Sequence, residues 1–345
     1  MDFPRIHFHE STEESAAAHE LAAFLRDLSV EAPFVICSRF GEKLAASLSG
    51  PRAPVAPEGV KPDQAWAASL GSTAHRSGVD AVVAVGGGRT LDIAKLVAAR
   101  AGVGLVCVPT QLAHDGICSP VAVVPNETGR TESLGAVTPR AVFLSLPTLV
   151  RAPIESVAAG IGDILANPLA LRDWALAAKR GLEDIHQRAW DLSVESFEAI
   201  EPALDTDVGT SANDHGFYRR LADSLILSGY AMIVSGSSRP ASGGEHEFSH
   251  AIDELHGGVA LHGAQVALGC VVSVALYDED HAAFRSRLRR LGLPDHPSTL
   301  GLDEDQTVAI LQRAPQTRPG RFTILEEADL SESDARALVR KVWFG

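Results

Sequence analysis

The distribution of apolar residues divides the chain into two parts of different character. Through the first 150 residues, short continuous apolar runs alternate with stretches of helical periodicity. The apolar runs predict strands at Ala32–Ser38, Asp80–Val85, Gly104–Val108, Val121–Val124 and Ala136–Leu144. The stretches between them predict helices at Gly41–Leu48, Pro62–Ser77 and Thr90–Ala99. Continuous apolar strands alternating with helices favour a parallel sheet covered on both faces.

From Pro153 onward the strand pattern nearly vanishes, and alanine-rich segments of helical period run to the last residue. Breaks in this pattern are expected near Asp205–Ser211, Ser235–Gly244, Leu291–Ser298 and Pro315–Arg321. We therefore predict an α/β domain over residues 1–150 and an all-α domain over residues 151–345. The polar turn Asn126–Gly129 is expected to join the last two strands of the first domain.

Composition and charge narrow the classes of partner. The 345 residues are 46% hydrophobic and 21% charged, as in ordinary globular domains, and the formal net charge is −14. That charge disfavours nucleic acid and anionic membranes. No apolar run of membrane-spanning length and no signal peptide are expected. Four cysteines without a CxxC pair, Cys37, Cys107, Cys118 and Cys270, predict reduced thiols and a cytoplasmic protein.

Three histidines concentrate the candidate chemistry in one short stretch. His246 and His250 lie four residues apart, so on a helix they share a face, and His262 follows twelve residues later. Such pairs also arise by chance, and two histidines do not complete a metal site. Asp163, among small apolar residues, is the best candidate for the missing carboxylate, although it could equally cap a helix. The histidine spacing suits a metal ligand paired with a second ligand or a proton donor, and a divalent metal would be a natural partner for Asp163.

A glycine-rich segment suggests a phosphate-binding turn. Gly86, Gly87 and Gly88 follow a predicted buried strand and open a helix, where free N–H groups and the helix dipole favour a phosphate. The segment is not the G-x-G-x-x-G fingerprint, and a tight turn without a ligand is the alternative. Asp92, in the first helical turn, could cap the helix or contact a nucleotide.

The segment Val108–Pro120 lies beyond the end of another predicted strand, where ligands bind in open α/β sheets. His114, Asp115 and Ser119 cluster in it between apolar flanks. For His114, a hydrogen bond to the local backbone is an equally good interpretation.

Several of these segments together resemble the sn-glycerol-1-phosphate dehydrogenase family, within the superfamily of iron-containing alcohol dehydrogenases, glycerol dehydrogenase and 3-dehydroquinate synthase. The matching pieces, in the family's order, are GGGRTLDIAK, PTQLAHDGICSP, AGIGDILAN, SGSSRPASGGEHEFSHAID, LHGAQV and RPGRFTIL. The long match over Ser235–Asp253 is highly specific, whereas the glycine turn alone is not.

The resemblance implies a Rossmann-like N-terminal domain for the cofactor NAD(P)(H), a helical domain for metal and substrate, and an active site in the cleft between them. It implies that Asp163, His246 and His262 bind one divalent metal, zinc first, with nickel or iron as alternatives. His250 and Asp115 then correspond to catalytic substrate contacts. His256 matches no family position and is interpreted as a loop residue. The expected cofactor-binding positions include the turn glycines and are Gly86, Gly87, Gly88, Arg89, Thr90, Leu91, Asp92, Thr110, Gln111, Leu112, Ala113 and Ser119.

The implied reaction is the reduction of the C2 carbonyl of dihydroxyacetone phosphate by the nicotinamide, with the metal as Lewis acid. His250 is the candidate proton relay. Ser237, Ser238 and Arg239 are candidate donors to the substrate phosphate, with a structural bridge as the alternative for Arg239. The expected partner is thus a small phosphorylated ketone or polyol, and a homo-oligomer is expected.

Four features depart from the family pattern. Ala264 stands where a glutamate is usual, and the segment Leu255–Ala260 is unusually rich in glycine. Leu-Ser-Leu-Pro at residues 144–147 stands where an aspartate is common. The strand at Phe34–Ser38 is followed by Arg39, not by an acid for the ribose 2′-hydroxyl. Arg39 could pair with a 2′-phosphate, so NADP(H) is expected to be accepted at least as well as NAD(H).

Two other functions remain open. A sugar-phosphate cyclase of the 3-dehydroquinate synthase type shares fold, cofactor and metal, but needs more cations than Arg89, Lys95 and Arg239 supply. A non-catalytic nucleotide-binding paralogue is the other, favoured only by Ala264. The excess of arginine over lysine and the abundant alanine suggest a GC-rich bacterial gene.

Overall fold

Five parallel strands form the central sheet of the first part of the chain. The computed structural model describes residues 3–11, 14–54, 62–204 and 214–345, and the predicted break at Asp205–Ser211 lies outside them. The chain divides into two compact units, Met1–Pro153 and Ile154–Gly345. The sheet has the order β1-β7-β4-β3-β2. Its strands are β1 (Arg5–His9), β2 (Pro33–Cys37), β3 (Ala81–Gly86), β4 (Gly104–Pro109) and β7 (Ala141–Ser145).

The apolar runs form this sheet because their side chains are buried on both faces. Every residue of β3 is buried, and Val83 pairs with Val35 on one side and Val106 on the other. The helices of the unit are α1 (Glu14–Asp27), α2 (Glu42–Ala45), α3 (Gln64–Arg76), α4 (Gly88–Ala101) and α5 (Leu146–Leu149). The predicted α/β arrangement is therefore confirmed.

The region after β4 differs from the prediction. A separate antiparallel hairpin pairs β5 (Val121–Pro125) with β6 (Thr131–Gly135), and the predicted turn at Asn126–Gly129 joins them. The strand predicted at Ala136–Leu144 was wrong in its extent, since β7 begins only at Ala141. Pro139 lacks the N–H that a central strand requires. In β6 the polar run Thr131, Glu132 and Ser133 gives no apolar signal.

The N-terminal edge of the sheet was not predicted. Strand β1 pairs with β7, and two of its histidines contact Glu20 of α1. His7 Nε2 lies 2.5 Å and His9 Nδ1 2.7 Å from the Glu20 carboxylate. These polar contacts replace the apolar packing that a sequence pattern would detect.

The second unit is helical, and its described part contains no strand, as predicted. Its helices are α6 (Ile154–Leu165), α7 (Asn167–Lys179), α8 (Gln187–Ile200), α9 (His215–Ser235), α10 (Gly244–His256), α11 (His262–Leu276), α12 (His281–Arg290), α13 (Glu304–Arg313), α14 (Ile324–Ala328) and α15 (Glu332–Val339). The predicted breaks at Ser235–Gly244, Leu291–Ser298 and Pro315–Arg321 fall between these helices.

Helices α6 and α7 supply much of the core of the second unit. The stretch Ile154–Lys179 is long and apolar enough to cross a membrane by length and composition, and 83% of its most apolar window is buried inside the protein. By length and composition alone, this stretch does not meet the expectation that no apolar run reaches membrane-spanning length, because two core helices follow each other with only Ala166 between them. All four cysteines are free, as predicted.

Candidate metal centre and glycine turn

Three side chains from three helices meet in the second unit. Asp163 lies near the end of α6, His246 in the first turn of α10, and His262 is the first residue of α11. Each offers one ligand atom, and these atoms all lie within 4.8 Å of one another. Asp163 Oδ1 is 3.6 Å from His246 Nε2 and 3.8 Å from His262 Nε2. These three residues are called the metal group below.

The donor set and spacing fit a divalent ion. Two ligand atoms on one tetrahedral zinc, at bond lengths of about 2.1 Å, lie about 3.4 Å apart. The two observed separations are close to that value and longer than an ordinary hydrogen bond. Two imidazoles and one carboxylate suit zinc, nickel or iron. Asp163 and His246 are buried, so each charge needs a partner.

Glycines allow the helices that carry this group to come close. A Cβ at Gly162 would lie 2.2 Å from the main-chain oxygen of Gly263. A Cβ at Gly263 would lie 1.8 Å from the oxygen of Ala159, one turn before Asp163 on α6. Both positions therefore exclude any larger residue, because the opposing atoms are backbone. This close crossing of α6 and α11 brings His262 beside Asp163.

Glu245 orients His246, and the sequence analysis did not identify it. Its Oε1 lies 2.9 Å from His246 Nδ1 and accepts from Gly243 N at 2.5 Å. With Nδ1 held, Nε2 faces Asp163, as in carboxylate–histidine–metal arrangements. Burial lowers the pKa of His246, but Asp163 and Glu245 outweigh it and raise the pKa to about 9. A metal ion at Nε2 would compete with that proton.

His250 lies one turn beyond His246 on α10 and outside the metal group. Its ring centroid is 6.3 Å from that of His262. Burial lowers the pKa of His250 well below its usual range, and the positive charges of Arg318, His262, His246 and Arg321 lower it further. The imidazole is therefore neutral at physiological pH, with one donor and one acceptor nitrogen.

Two neighbouring residues are placed differently from the expectation. Arg239 is 2% exposed, and its guanidinium donates to both Glu183 carboxylate oxygens and to the oxygen of Phe322. The structural-bridge interpretation of Arg239 is thus the one that its contacts support. His256 is the last residue of α10 and not a loop residue, and Gly257 caps the helix in the left-handed conformation.

In the first unit, the glycine turn joins β3 to α4. Gly87 precedes the first helical residue, and no side chain caps the helix start. A Cβ at Gly86, Gly87 or Gly88 would lie 2.6 Å from Thr90, 2.9 Å from Gln111 and 2.1 Å from His114, respectively. Close packing against the protein's own side chains therefore favours glycine at Gly86 and Gly88, whereas the flexible Gln111 side chain could move away from a Cβ at Gly87. The N–H groups of the turn keep the helix-start position that favours a phosphate.

Asp92 and Lys95 hold the hairpin and do not cap α4. Asp92 Oδ2 accepts from Val123 N at 3.2 Å, and its Oδ1 accepts from Lys95 Nζ at 3.2 Å. Lys95 Nζ also donates to the oxygen of Val121 at 2.5 Å, and Lys95 is fully buried. Lys95 is therefore unavailable as a substrate cation.

The remaining predicted positions of this unit lie at the carboxyl ends of the strands. Thr110 N donates to Gly86 O at 3.0 Å, so the loop after β4 begins against the glycine turn. His114 Nδ1 accepts from Gly116 N at 2.9 Å. This contact is the hydrogen bond to the local backbone that the sequence left open for His114. Arg39 is exposed and lies two residues after the end of β2. The intervening Ser38 donates its main-chain N–H to the oxygen of Val85. The other predicted residues of the unit differ in their exposure to solvent. Leu91, Leu112, Ala113 and Ser119 are buried, Asp115 and Gln111 are half-buried, and Arg89 is exposed.

Known proteins are similar to this chain in sequence and in fold. The family described as iron-containing alcohol dehydrogenase matches residues 14–153. A probable glycerol dehydrogenase from Sinorhizobium meliloti has the same fold, with a TM-score of 0.79 at 22% identity, over 99% of this chain and 96% of that one. Glycerol dehydrogenase from Schizosaccharomyces pombe gives 0.74 at 17% identity, over 99% and 90%. The fold is therefore that of the glycerol dehydrogenase structures, and residues 14–153 are similar to the iron-containing alcohol dehydrogenase family.

Curated relatives narrow the class to a family. Glycerol-1-phosphate dehydrogenase [NAD(P)+] of Hyperthermus butylicus is 40% identical over 260 residues, 75% of this chain and 73% of the relative. The enzyme of the same name from Thermococcus kodakarensis is 38% identical over 258 residues, 75% and 72%. The chain belongs to the glycerol-1-phosphate dehydrogenase family, and the resemblance noted in the sequence is confirmed.

Proposed function

We propose that this protein reduces dihydroxyacetone phosphate to sn-glycerol 1-phosphate with NADPH or NADH, at a divalent metal. The observation that carries the proposal is the metal group, with Glu245 bonded behind His246. It occurs in a chain that is 40% identical to a glycerol-1-phosphate dehydrogenase [NAD(P)+] over 260 residues. The spacing of the three ligand atoms supports one ion. An ion with three protein ligands would keep an open coordination position for substrate oxygens.

In this proposal Asp163, His246 and His262 hold the ion, with zinc as the first choice and nickel or iron as alternatives. When bound, the ion polarises the substrate carbonyl and the nicotinamide supplies the hydride. Asp163 supplies one negative charge, which leaves part of the ion's charge uncompensated. Glu245 fixes the ring of His246 so that Nε2 faces the ion.

His250 is proposed to move the proton that the reaction requires. Its imidazole is neutral, since burial and the nearby cations lower its pKa. One ring nitrogen can therefore donate a proton toward the C2 oxygen of the substrate while the other accepts one. Asp115, half-buried in the 3-10 turn Asp115–Ile117, is proposed as the second catalytic contact.

The cofactor is proposed to bind at the glycine turn and the loop after β4. The uncapped start of α4 at Gly87 supports a pyrophosphate position there. Residues 86–92, residues 110–113 and Ser119 make up the proposed contact set. Asp92 and Leu91 belong to it through their main chain, because the Asp92 carboxylate is bonded to Lys95 and Val123 and Leu91 is buried. Arg39 is proposed to pair with the 2′-phosphate of NADP(H).

The decisive experiment follows nicotinamide absorbance with dihydroxyacetone phosphate, on protein whose metal content has been measured. We expect stoichiometric cofactor oxidation, with sn-glycerol 1-phosphate and not its enantiomer as product. Asp163→Asn should lose both metal and activity. Asp223→Asn, which removes the charge of a surface partner of Arg219, is the matched control. Cofactor recycling without net oxidation would replace the proposal by the cyclase alternative. That alternative gains no support from Lys95 or Arg239, whose cationic groups are bonded inside the protein.

We further propose a cytoplasmic homo-oligomer from a bacterial source. The four free cysteines support the reducing compartment. Light scattering of the purified protein tests the assembly, and a monomer at micromolar concentration would exclude it.

A further inference from the structure

A tight turn places two arginines side by side in the second unit. In Arg318-Pro319-Gly320-Arg321, the N–H of Arg321 donates to the oxygen of Arg318 at 3.1 Å. Gly320 has φ +89°, which a type II turn requires at its third position, and proline is favoured at the second. The first and fourth residues of such a turn lie close together, so the sequence itself builds a pair of cations.

The two guanidinium groups converge on the same serine. Arg318 Nη1 donates to Ser238 Oγ at 3.1 Å, and Arg321 Nη2 donates to the same oxygen at 3.1 Å. Arg318 also donates to Ser242 Oγ at 2.7 Å, and Arg321 to the main-chain oxygen of Ser242. All of these acceptors are neutral. The contacts hold both groups in place without balancing their charge.

Other arginines of the unit differ in this respect. Arg239 pairs with Glu183, and Arg313 Nε lies 2.7 Å from Glu254. Within the described residues, Arg318 and Arg321 form no ion pair. Carboxylates act on them only at longer range, Glu247 and Glu245 on Arg318 and Glu247 and Glu183 on Arg321. Two half-buried positive charges that share neutral partners are unfavourable unless an anion accompanies them. Guanidinium groups in this arrangement match the oxygens of a phosphate.

The pair lies close to the proposed chemistry. Both positive charges act on the imidazole of His250, which is also within range of His246 and His262. An anionic group on the arginines would therefore lie within electrostatic range of His250, which is one helical turn beyond His246 of the metal group. A small substrate with a phosphate at one end and a carbonyl at the other suits an anion site in this position.

We propose that Arg318, Arg321 and Ser238 bind the phosphate group of the substrate. The inference rests on the proposed function, in that it takes the bound anion to be part of the substrate. It assigns to the turn arginines the role that sequence reasoning gave to Arg239. Arg239 instead supports the segment that carries Ser238, through its bonds to Glu183 and Phe322. A ketone without a phosphate gains nothing from these three residues.

The test uses the full-length metal-loaded protein and two independent measurements. Calorimetric titration with inorganic phosphate measures anion binding without turnover, on wild type, Arg318→Gln, Arg321→Gln and Arg321→Lys. Arg313→Gln, whose guanidinium already has a carboxylate partner, is the matched control. Loss of one charged hydrogen-bond donor should weaken phosphate binding roughly 10- to 100-fold. Arg321→Lys should lose less than Arg321→Gln, since it keeps the charge, and Arg313→Gln should bind as wild type does.

Kinetics with two substrates separates this inference from the proposed function. For dihydroxyacetone phosphate, kcat/KM should fall roughly 10- to 100-fold in the Arg→Gln variants, mostly through KM. For dihydroxyacetone, kcat/KM should be unchanged, which a merely structural defect would not allow. Wild type that binds phosphate but does not reduce dihydroxyacetone phosphate would leave the anion site standing and refute the proposed function.

Some results would overturn the inference itself. Folded Arg→Gln variants with wild-type phosphate affinity would do so, as would equal losses for both ketones. If a glutamine variant does not fold, the Arg321→Lys variant decides: unchanged phosphate affinity and unchanged KM would count against the site.

Discussion

Replacing Gly263 by alanine tests whether the close crossing of α6 and α11 sets the metal geometry. The new Cβ would lie 1.8 Å from the oxygen of Ala159, whereas ordinary contact begins at 3.4 Å. The opposing atom is backbone, so no side-chain rotation relieves the overlap. One helix must move by about 1.6 Å, the difference between those two distances.

The displacement acts directly on the ligand set, because Gly263 follows His262. A separation of 3.8 Å between His262 Nε2 and Asp163 Oδ1 would grow by a comparable amount. Metal–ligand distances tolerate only about 0.2 Å. We therefore expect metal affinity to fall at least about 100-fold, the upper end of the effect of disturbing a ligand's support. Overpacking itself should cost about 1–3 kcal/mol of unfolding free energy.

Metal content after dialysis and differential scanning calorimetry measure the two effects separately. Gly135→Ala is the matched control, since a Cβ there meets nothing within 4 Å. It should bind metal and unfold as wild type does. A Gly263→Ala protein with full metal content and unchanged affinity would refute the argument that the close helix crossing sets the ligand geometry.

Further predictions concern the cofactor and the buried acids. Arg39→Ala should lower kcat/KM for NADPH roughly 10- to 100-fold and leave NADH unaffected; a strong NADH preference in wild type would contradict the role of Arg39. Burial, and after it the charge of Glu245, raises the pKa of Asp173 from its usual 3.8 to about 7. The pKa of Asp173 is higher in the folded protein than in the unfolded chain. The contribution of Asp173 to the free energy of unfolding is therefore fully present below about pH 4 and is lost as the pH rises through about 7. Asp173→Asn should reduce the pH dependence of the melting temperature in thermal scans. A variant whose melting temperature varies with pH as that of wild type does would contradict this prediction. Tyr277→Phe removes the hydrogen bond of 2.6 Å to Asp173 and should lower the free energy of unfolding, measured by chemical denaturation, by about 1–2 kcal/mol. An unchanged free energy of unfolding would show that this hydrogen bond makes no net contribution to stability.

Local patterns predicted most of the fold because they reflect burial. The runs at Ala81–Gly86 and Gly104–Pro109 are apolar since both faces of the sheet are covered. Strand β6 and strand β1 escaped prediction because polar partners stabilise them. Glu132 of β6 accepts from Asn126, and Glu20 accepts from two histidines of β1. Such pairings are invisible in hydrophobic periodicity.

The candidate site was predictable where its residues are local, and less so where distant segments meet. The helical spacing of His246 and His250 was readable from the sequence, and Asp163 was identified by its apolar surroundings. The sequence offers Arg239 as a candidate phosphate donor because it adjoins Ser237 and Ser238. Only the fold shows that Glu183, 56 residues away, occupies the guanidinium of Arg239. The turn at Arg318–Arg321 was noted for its resemblance, and its contact with Ser238 spans about 80 residues of chain.

The origin of the three metal ligands on three helices has a consequence for the lifetime of the protein. Asp163 and His262 are 99 positions apart, so an ion shared between them closes a loop of about 100 residues that the unfolded chain cannot maintain. An ion at 1,000 times its dissociation constant would stabilise the second unit by about 4.1 kcal/mol and leave the first unit untouched. Metal starvation would then loosen one half of the molecule selectively, and limited proteolysis should cut the second unit first. The supply of metal would control how long the enzyme survives as well as whether it works.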